Sequence, residues 1–359
     1  MQIHEKKMLP LAPIIEATYS SNSHLFSVIL QSPNGYAWIM NHYIQLWCSG
    51  YGSKNRDMVL NFIPLSNPCH SWDKCEYIKH QRIDLTFMMN HWQSIVDFTI
   101  DSINGGWYVY MLLDQYFIPE SELGDGTHFA HKNFFYGYEK TKKLFYIADH
   151  FDEGKYGFKT VGFSNMLKAF DSVTKGAEYR AFRQSSKDSF YLHSFRDLCY
   201  LIKLNDHDYS FNKQLLEDYL SDYFYSTNRF QFYHHYSFNK MIYGLDTYAC
   251  LIEYINDTHD TNIDSIDYRI FTMLKDHKNL MLLRLAYLKA NHYKDRHSQL
   301  EKVIVMYKDI LTKSNMILNL ILKLNFSKNM TIIQHIIKHL THMRQIEKKA
   351  LESFIEIVS

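Results

Sequence analysis

Glycine and proline are scarce in this chain of 359 residues, at 13 and 6, so it is expected to be ordered throughout, without a flexible spacer. Cysteine is scarce too. Cys48, Cys69, Cys75, Cys199 and Cys250 are odd in number and without repeating spacing, which excludes a disulfide framework and fits a reducing, cytoplasmic setting. Cys69, His70 and Cys75 lack the second ligand pair of a zinc site, so no metal is expected. Excess charge is absent: 39 Lys and Arg against 38 Asp and Glu give +1, which offers no general attraction to nucleic acid or an anionic membrane. The longest apolar run, Met316–Leu322, is short and broken by Asn319, and the leading Met1-Gln2-Ile3-His4-Glu5-Lys6-Lys7 has no apolar core, so neither a membrane span nor a signal peptide is expected. There is no glycine-rich phosphate loop, dinucleotide fingerprint or internal repeat, and no cofactor is expected.

Aromatic side chains are abundant, with 28 Tyr and 24 Phe, and many stand in short runs of strand character. Phe134–Tyr138 and Leu144–Ile147 flank the polar segment Glu139-Lys140-Thr141-Lys142-Lys143, which predicts a hairpin. His131 precedes the first strand and Asp149 follows the second, so antiparallel pairing brings both to one end of the ladder. A carboxylate that orients an imidazole is half of a nucleophile–His–Asp triad. His128 is a second candidate base. Before it, Glu120–Gly126 is either a solvated turn or an acidic rim that would favour an amine-bearing ligand. Upstream, Trp107–Leu113 is almost continuously apolar, as a strand buried on both faces should be.

His131 with Phe134-Phe135-Tyr136-Gly137-Tyr138 and Ile147-Ala148-Asp149, preceded by the strand from Trp107 that ends in Asp114-x-Tyr116-x-x-Pro119, resembles the papain-like family named after butirosin biosynthesis protein H. More distantly it resembles the cysteine peptidases of bacteriocin exporters. The resemblance spans roughly residues 10–175. It implies a nucleophile at the head of a central helix, His131 as base and Asp149 as its orienter, with substrate contacts at Trp107, Asp114, Tyr116 and His128. The helix is predicted at Ser20–Leu30, with Ser20 to Ser23 as potential caps. Counting back from Val28-Ile29-Leu30 puts the family's cysteine near Ser20 or Ser21, and no cysteine stands there. Three readings follow: a serine nucleophile, another thiol such as Cys69 entering the cleft, or a cleft that binds without chemistry. The function implied is acyl transfer or thioester cleavage on an intermediate tethered to an acyl- or peptidyl-carrier protein, in bacterial specialised metabolism such as non-ribosomal peptide synthesis. A small amine would be the acceptor.

The expected fold is α+β: a papain-like domain with a mostly antiparallel sheet over residues 1–205, then an all-helical domain over 206–359. Further expectations in the first part are a helix over Tyr36–Trp47, a strand at Met58–Ile63, one long helix over Asp84–Ile103, a loop at Asp149–Lys159 and strands within Tyr179–Leu204. Helical spacing continues from Asn212, with breaks expected between Asp276 and His277 and after Thr312. Asp246 is expected to pair with Arg284 or Lys278 between helices, or to touch substrate.

Overall fold

The computed structural model describes residues 4–16, 18–49, 58–63, 75–118, 128–151, 155–175, 199–229, 241–260 and 265–359. Cys69, the acidic loop Glu120–Gly126, Pro119 and the expected strand at Phe190–Leu192 lie outside those residues. In chain order the first elements are β1 (Lys6–Met8), α1 (Ser20–Ile29), α2 (Pro33–Asn41), β2 (Gln45–Ser49) and β3 (Val59–Ile63). Then come β4 (Ile78–Ile83), α3 (Leu85–His91), α4 (Ile95–Asn104), β5 (Tyr108–Asp114), β6 (Ala130–Glu139), β7 (Leu144–Phe151), β8 (Lys155–Gly162), α5 (Phe163–Lys175) and β9 (Cys199–Leu204). The rest is α6 (Lys213–Tyr225), β10 (Ile242–Tyr243), α7 (Thr247–Asp260), α8 (Tyr268–Asn291), α9 (His297–Ser327) and α10 (Thr331–Val358). The protein is therefore mixed α+β, with an antiparallel sheet and a helical C-terminal region.

The chain divides into two compact units, and not at one point. Residues 1–35 and 66–208 form the first; Tyr36–Leu65 joins Tyr209–Ser359 in the second. The expected boundary at 205/206 falls three residues before the later break, but the return of residues 36–65 to the C-terminal half was not foreseen. The second unit is also not all-helical: β10, β2 and β3 make a three-stranded sheet. The single helix expected over Tyr36–Trp47 gives way to helix α2 and strand β2. Tyr43, at φ 54°, turns the chain between them.

In the first unit the sheet runs β4-β9-β5-β6-β7-β8, with β1 added against β6. Val109, Met111 and Leu113 on β5, Phe135 on β6 and Ile147 on β7 pack with Phe98 and Ile103 on α4 and Met166 and Phe170 on α5. The helix expected over Asp84–Ile103 is two helices. Asp84 caps the first by accepting from the Phe87 N–H, and Ser94 caps the second by accepting from the Asp97 N–H. The Asp149–Lys159 stretch is not all loop, since β7 continues to Phe151 and β8 starts at Lys155. As an edge strand, β8 tolerates the charge and glycine that masked it in the sequence.

Gly137 of the Gly-Tyr motif has a plain steric reason. A Cβ there would lie 2.8 Å from the Lys7 carbonyl oxygen, where β1 crosses β6. In the second unit Gly244, at φ +57°, leaves no room either, because a Cβ would stand 2.2 Å from the Tyr223 carbonyl oxygen. Helix α8 runs unbroken through Asp276 and His277, and α9 runs on past Thr312 to Ser327.

Candidate functional site

The β6–β7 hairpin builds the site. Tyr138 faces Phe145 and Glu139 faces Leu144; a bulge between Phe135 and Gly137 then shifts the register, so that Phe134 faces Ala148. Continued one step, this register sets Asn133 opposite Asp149, with His131 the diagonal neighbour at the open end. His131 Nδ1 lies 3.1 Å from Asp149 Oδ2, and Asn133 Nδ2 lies 3.4 Å from the same oxygen. The other oxygen, Oδ1, accepts from the His150 N–H at 2.8 Å. Asp149 is 2% exposed and His131 29%, so the carboxylate is sealed and the imidazole reaches the surface. Burial pushes the His131 imidazole down, but the Asp149 charge and hydrogen bond outweigh it and hold the pKa above its ordinary value. Burial likewise pushes the Asp149 carboxyl up, and the His131 charge and hydrogen bond hold it below the usual range. With Nδ1 turned to the carboxylate, Nε2 is the nitrogen left for proton transfer.

The serines stand at the head of α1, where Tyr19 occupies the cap position without a side-chain bond. The expectation that this serine run caps the helix is corrected: Ser20 and Ser21 lie inside the first turn, and Ser23 Oγ donates to the Glu16 carbonyl at 3.0 Å. Ser20 and Ser21 are half-buried, and among the described residues neither hydroxyl is hydrogen-bonded to His131. One turn beyond Ser20, on the same helix face, is His24. Its ring stacks on Phe134 at 4.6 Å, and its Nδ1 lies 2.8 Å from the Tyr156 hydroxyl. Burial pushes His24 down to about 3, with Asp149 pulling the other way and His150 and His131 adding to the depression. The helix head thus carries a neutral imidazole within electrostatic reach of the His131–Asp149 pair. His24 Nε2 and Asn133 Oδ1 are buried atoms with no hydrogen-bond partner among the described residues.

A second histidine–aspartate pair sits at the same end of the sheet. His128 Nδ1 and Ser172 Oγ each lie 2.6 Å from Asp114 Oδ2, while Asp114 Oδ1 accepts from the N–H groups of Tyr116 and Phe129. The His128 ring stacks on Tyr116 at 4.5 Å. The Asp-x-Tyr signature is therefore a cap: Asp114 starts the short 3-10 turn Gln115–Phe117 and pins the approach to β6. Ser172 donates to the aspartate and not to a histidine, so this cluster lacks the geometry of an activated nucleophile. Of the four expected substrate contacts, Asp114, Tyr116 and His128 come together. Trp107 does not; it stands before the other end of β5, about 20 Å away along the strand, under the Lys203 ammonium.

His24, Asn133, Tyr156 and Ser172 are site residues that the sequence reading missed. His24 had a signal, a histidine four positions after Ser20 and so on the same helix face as that candidate. Asn133 shares a strand face with His131 by alternation. Tyr156 and Ser172 had none, since each comes to the site from a segment read as loop or as ordinary helix. The expected pairing of Asp246 with Arg284 or Lys278 is corrected: Asp246 accepts from Arg344 at 2.8 Å, on the surface. Lys278 pairs with Glu347, and Arg284 donates to the carbonyls of Met40, His42 and Tyr43 at the end of α2. Among the described residues no cluster of three potential ligands could hold a metal, and no helix is long and apolar enough to cross a membrane. Neither a scan against protein-family models nor a search of curated proteins finds a match for the chain.

Proposed function

We propose that the chain is an acyl-transfer or thioester-cleaving protein of papain-like architecture, acting on an intermediate tethered to an acyl- or peptidyl-carrier protein, with a small amine as acceptor. The observation that carries this reading is the 3.1 Å contact between a half-open His131 and a sealed Asp149 at the mouth of a hairpin. That is the arrangement a general base and its orienting carboxylate require. The resemblance of residues 105–149 to the butirosin-type family supplies the reaction class. In this reading Ser20 or Ser21 provides the attacking oxygen, His131 takes its proton and passes it to the departing carrier thiol, then takes a proton from the attacking amine and returns it to the serine oxygen, and Asp149 holds the imidazole.

The positive end of the α1 dipole favours negative charge at the serine positions. A hydroxyl needs more activation than a thiol, so the acylation rate should climb as pH rises through the raised pKa of His131 and its base form accumulates. The test is intact-mass measurement after incubation with a simple acyl thioester of N-acetylcysteamine. An acyl adduct lost in Ser20→Ala or Ser21→Ala, and in His131→Ala, is the expected result. An adduct that survives both serine variants and disappears in Cys69→Ala would move the nucleophile. A second reading, binding without turnover, draws on the missing hydrogen bond between either serine and His131. It is favoured if the thioester binds and no adduct forms at any pH.

A further inference from the structure

Phe129 and His131 present two rings side by side at the open end of the β6–β7 hairpin. Phe129 stands just before β6 and, two positions from His131, shares its strand face. The ring centroids are 6.1 Å apart, with the planes 19° from parallel. Asp114 and Gln115, at the end of β5, clamp the backbone between them. The Phe129 N–H donates to Asp114 Oδ1 at 3.3 Å, and the Gln115 N–H donates to the Phe129 carbonyl at 2.8 Å. Gln115 Nε2 lies 3.5 Å from the His131 carbonyl oxygen. The β5–β6 ladder then takes over, with Asp114 facing Ala130 and Leu113 facing His131.

With its backbone fixed in this way, Phe129 is still 45% exposed. A phenyl ring in water gains from burial only when something covers it. The clamp keeps this one beside the imidazole that the proposed reaction uses. Any atom that exchanges a proton with His131 Nε2 lies within about 3 Å of that nitrogen, so the carbons bonded next to it come within reach of the ring. Behind the two rings, the side chains of Asp114 and Asp149 are only 4% and 2% exposed, which seals two negative charges there.

We propose, resting on the function proposed above, that Phe129 is a specificity-determining residue whose ring lies along an apolar acyl group of several carbons. In that reaction the carrier thiol leaves and the amine arrives, while the acyl group stays beside the base through both halves. A ring fixed by its backbone suits the group that stays. Covering a methylene fully is worth about four-fold in affinity, so covering it on one side should be worth about two-fold. A chain that ends in its own carboxylate loses this gain against Asp114 and Asp149.

The probes are ketone analogues of acyl-N-acetylcysteamine thioesters, in which a methylene replaces the sulfur so that nothing is transferred. Binding is followed through the NMR signal of the His131 imidazole. The hexanoyl analogue should bind about ten-fold tighter than the acetyl one. The adipoyl analogue, which adds a terminal carboxylate to the same chain length, should bind no tighter than acetyl. Phe129→Ala should cut the hexanoyl-to-acetyl ratio to about two-fold or less, and Phe129→Leu, which keeps apolar surface, should retain most of it. The ring is exposed, and circular dichroism checks that both variants keep the fold. Binding of neither analogue, or a ratio near one, overturns the proposal. So does an adipoyl analogue that matches hexanoyl. A ratio that Phe129→Ala leaves unchanged, both analogues weakening alike, overturns it in favour of a ring that only supports the imidazole. A protein that shows the ratio, loses it in Phe129→Ala and is never acylated by the matching thioester loses the catalytic reading alone. One that is acylated equally fast by acetyl and hexanoyl thioesters loses this inference alone.

Discussion

Two ion pairs, one in each unit, show what burial does with the same chemistry. His131–Asp149 is sealed at the carboxylate and open at the imidazole. Lys278–Glu347 is sealed at both ends, each side chain being 0% exposed. Lys278 Nζ lies 2.8 and 2.7 Å from the two Glu347 oxygens, 2.9 Å from the Tyr223 hydroxyl and 3.1 Å from His277 Nδ1. The hydroxyls of Tyr223, Tyr248 and Tyr307 also donate to Glu347. Burial and then the Glu347 charge raise all three tyrosines well above their ordinary value, which keeps them as donors. His277 donates through Nε2 to the Ile44 carbonyl at 2.8 Å, and this leaves Nδ1 to accept from the lysine. Every polar group of the second network is used inside, so it can specify a core but cannot meet a substrate. The first pair leaves one nitrogen unspent, and that difference separates a candidate site from a structural joint.

The largest expected effect lies in the sealed network. Glu347→Leu strands the Lys278 ammonium, and Lys278→Met strands the carboxylate. Each single change should cost about 3–5 kcal/mol in urea unfolding, while the double replacement should recover most of that loss. If the single variants prove as stable as the double, the pair is not sealed and the contrast between the units fails.

Acid should act next. Burial holds His24 at about 3 and His42 at about 4, and the folded protein keeps His277 neutral as well. The unfolded chain binds protons at these histidines below about pH 6.5 while the folded chain does not. Stability therefore falls as pH drops from 6.5 towards 4, by about 1.4 kcal/mol per pH unit for each histidine. His24→Phe should flatten the slope of unfolding free energy against pH by one histidine's share; an unchanged slope would mean that His24 is protonated in the fold. In the open pair Asp149 works in the same sense and His131 in the opposite one. The Asp149 contribution disappears as pH falls through its lowered pKa, and the His131 contribution disappears as pH rises through its raised one.

Asp149→Asn should cost about 1–2 kcal/mol, less than any break in the sealed network, because His131 can still reach water. Its clearer signature is the His131 titration followed by NMR. With the carboxylate charge gone, burial acts unopposed and the pKa should drop. A titration that does not move would dissolve the pair as a functional unit. Smallest of all is Arg344→Ala, which removes the exposed partner of Asp246 and should change stability by less than about 1 kcal/mol.

What could be read from the sequence was local. The hairpin, its two terminal residues and the helical spacing of α10 follow from alternation, turn chemistry and period, all of which lie within a few residues. The sealed network could not be read in this way, because Lys278 and Glu347 stand 69 residues apart on two helices and Tyr223 comes from a third. Asp246 looked like their partner through proximity in the chain, whereas the fold turned it outward. Strand β8 escaped because Lys155, Lys159 and two glycines resemble loop composition, and an edge strand carries them at little cost. The site was legible for His131 and Asp149, which one hairpin joins. It was illegible for Tyr156, which meets His24 from 132 residues away.

The hold of α8 on the first residues of the second unit bears on the order in which the chain can fold during synthesis. Arg284 donates to the Met40 carbonyl across 244 positions, and His277 reaches Ile44 across 233. At roughly 5–20 residues per second a ribosome needs on the order of ten to fifty seconds to bridge that gap. Throughout this interval α2, β2 and β3 have left the ribosome without the helix that satisfies their carbonyls and covers Phe62, Tyr43 and Ile44. A nascent chain stalled before Tyr268 should therefore show residues 36–49 and 58–63 as open to protease and to chaperones, and a chain stalled beyond Asn291 should show them protected.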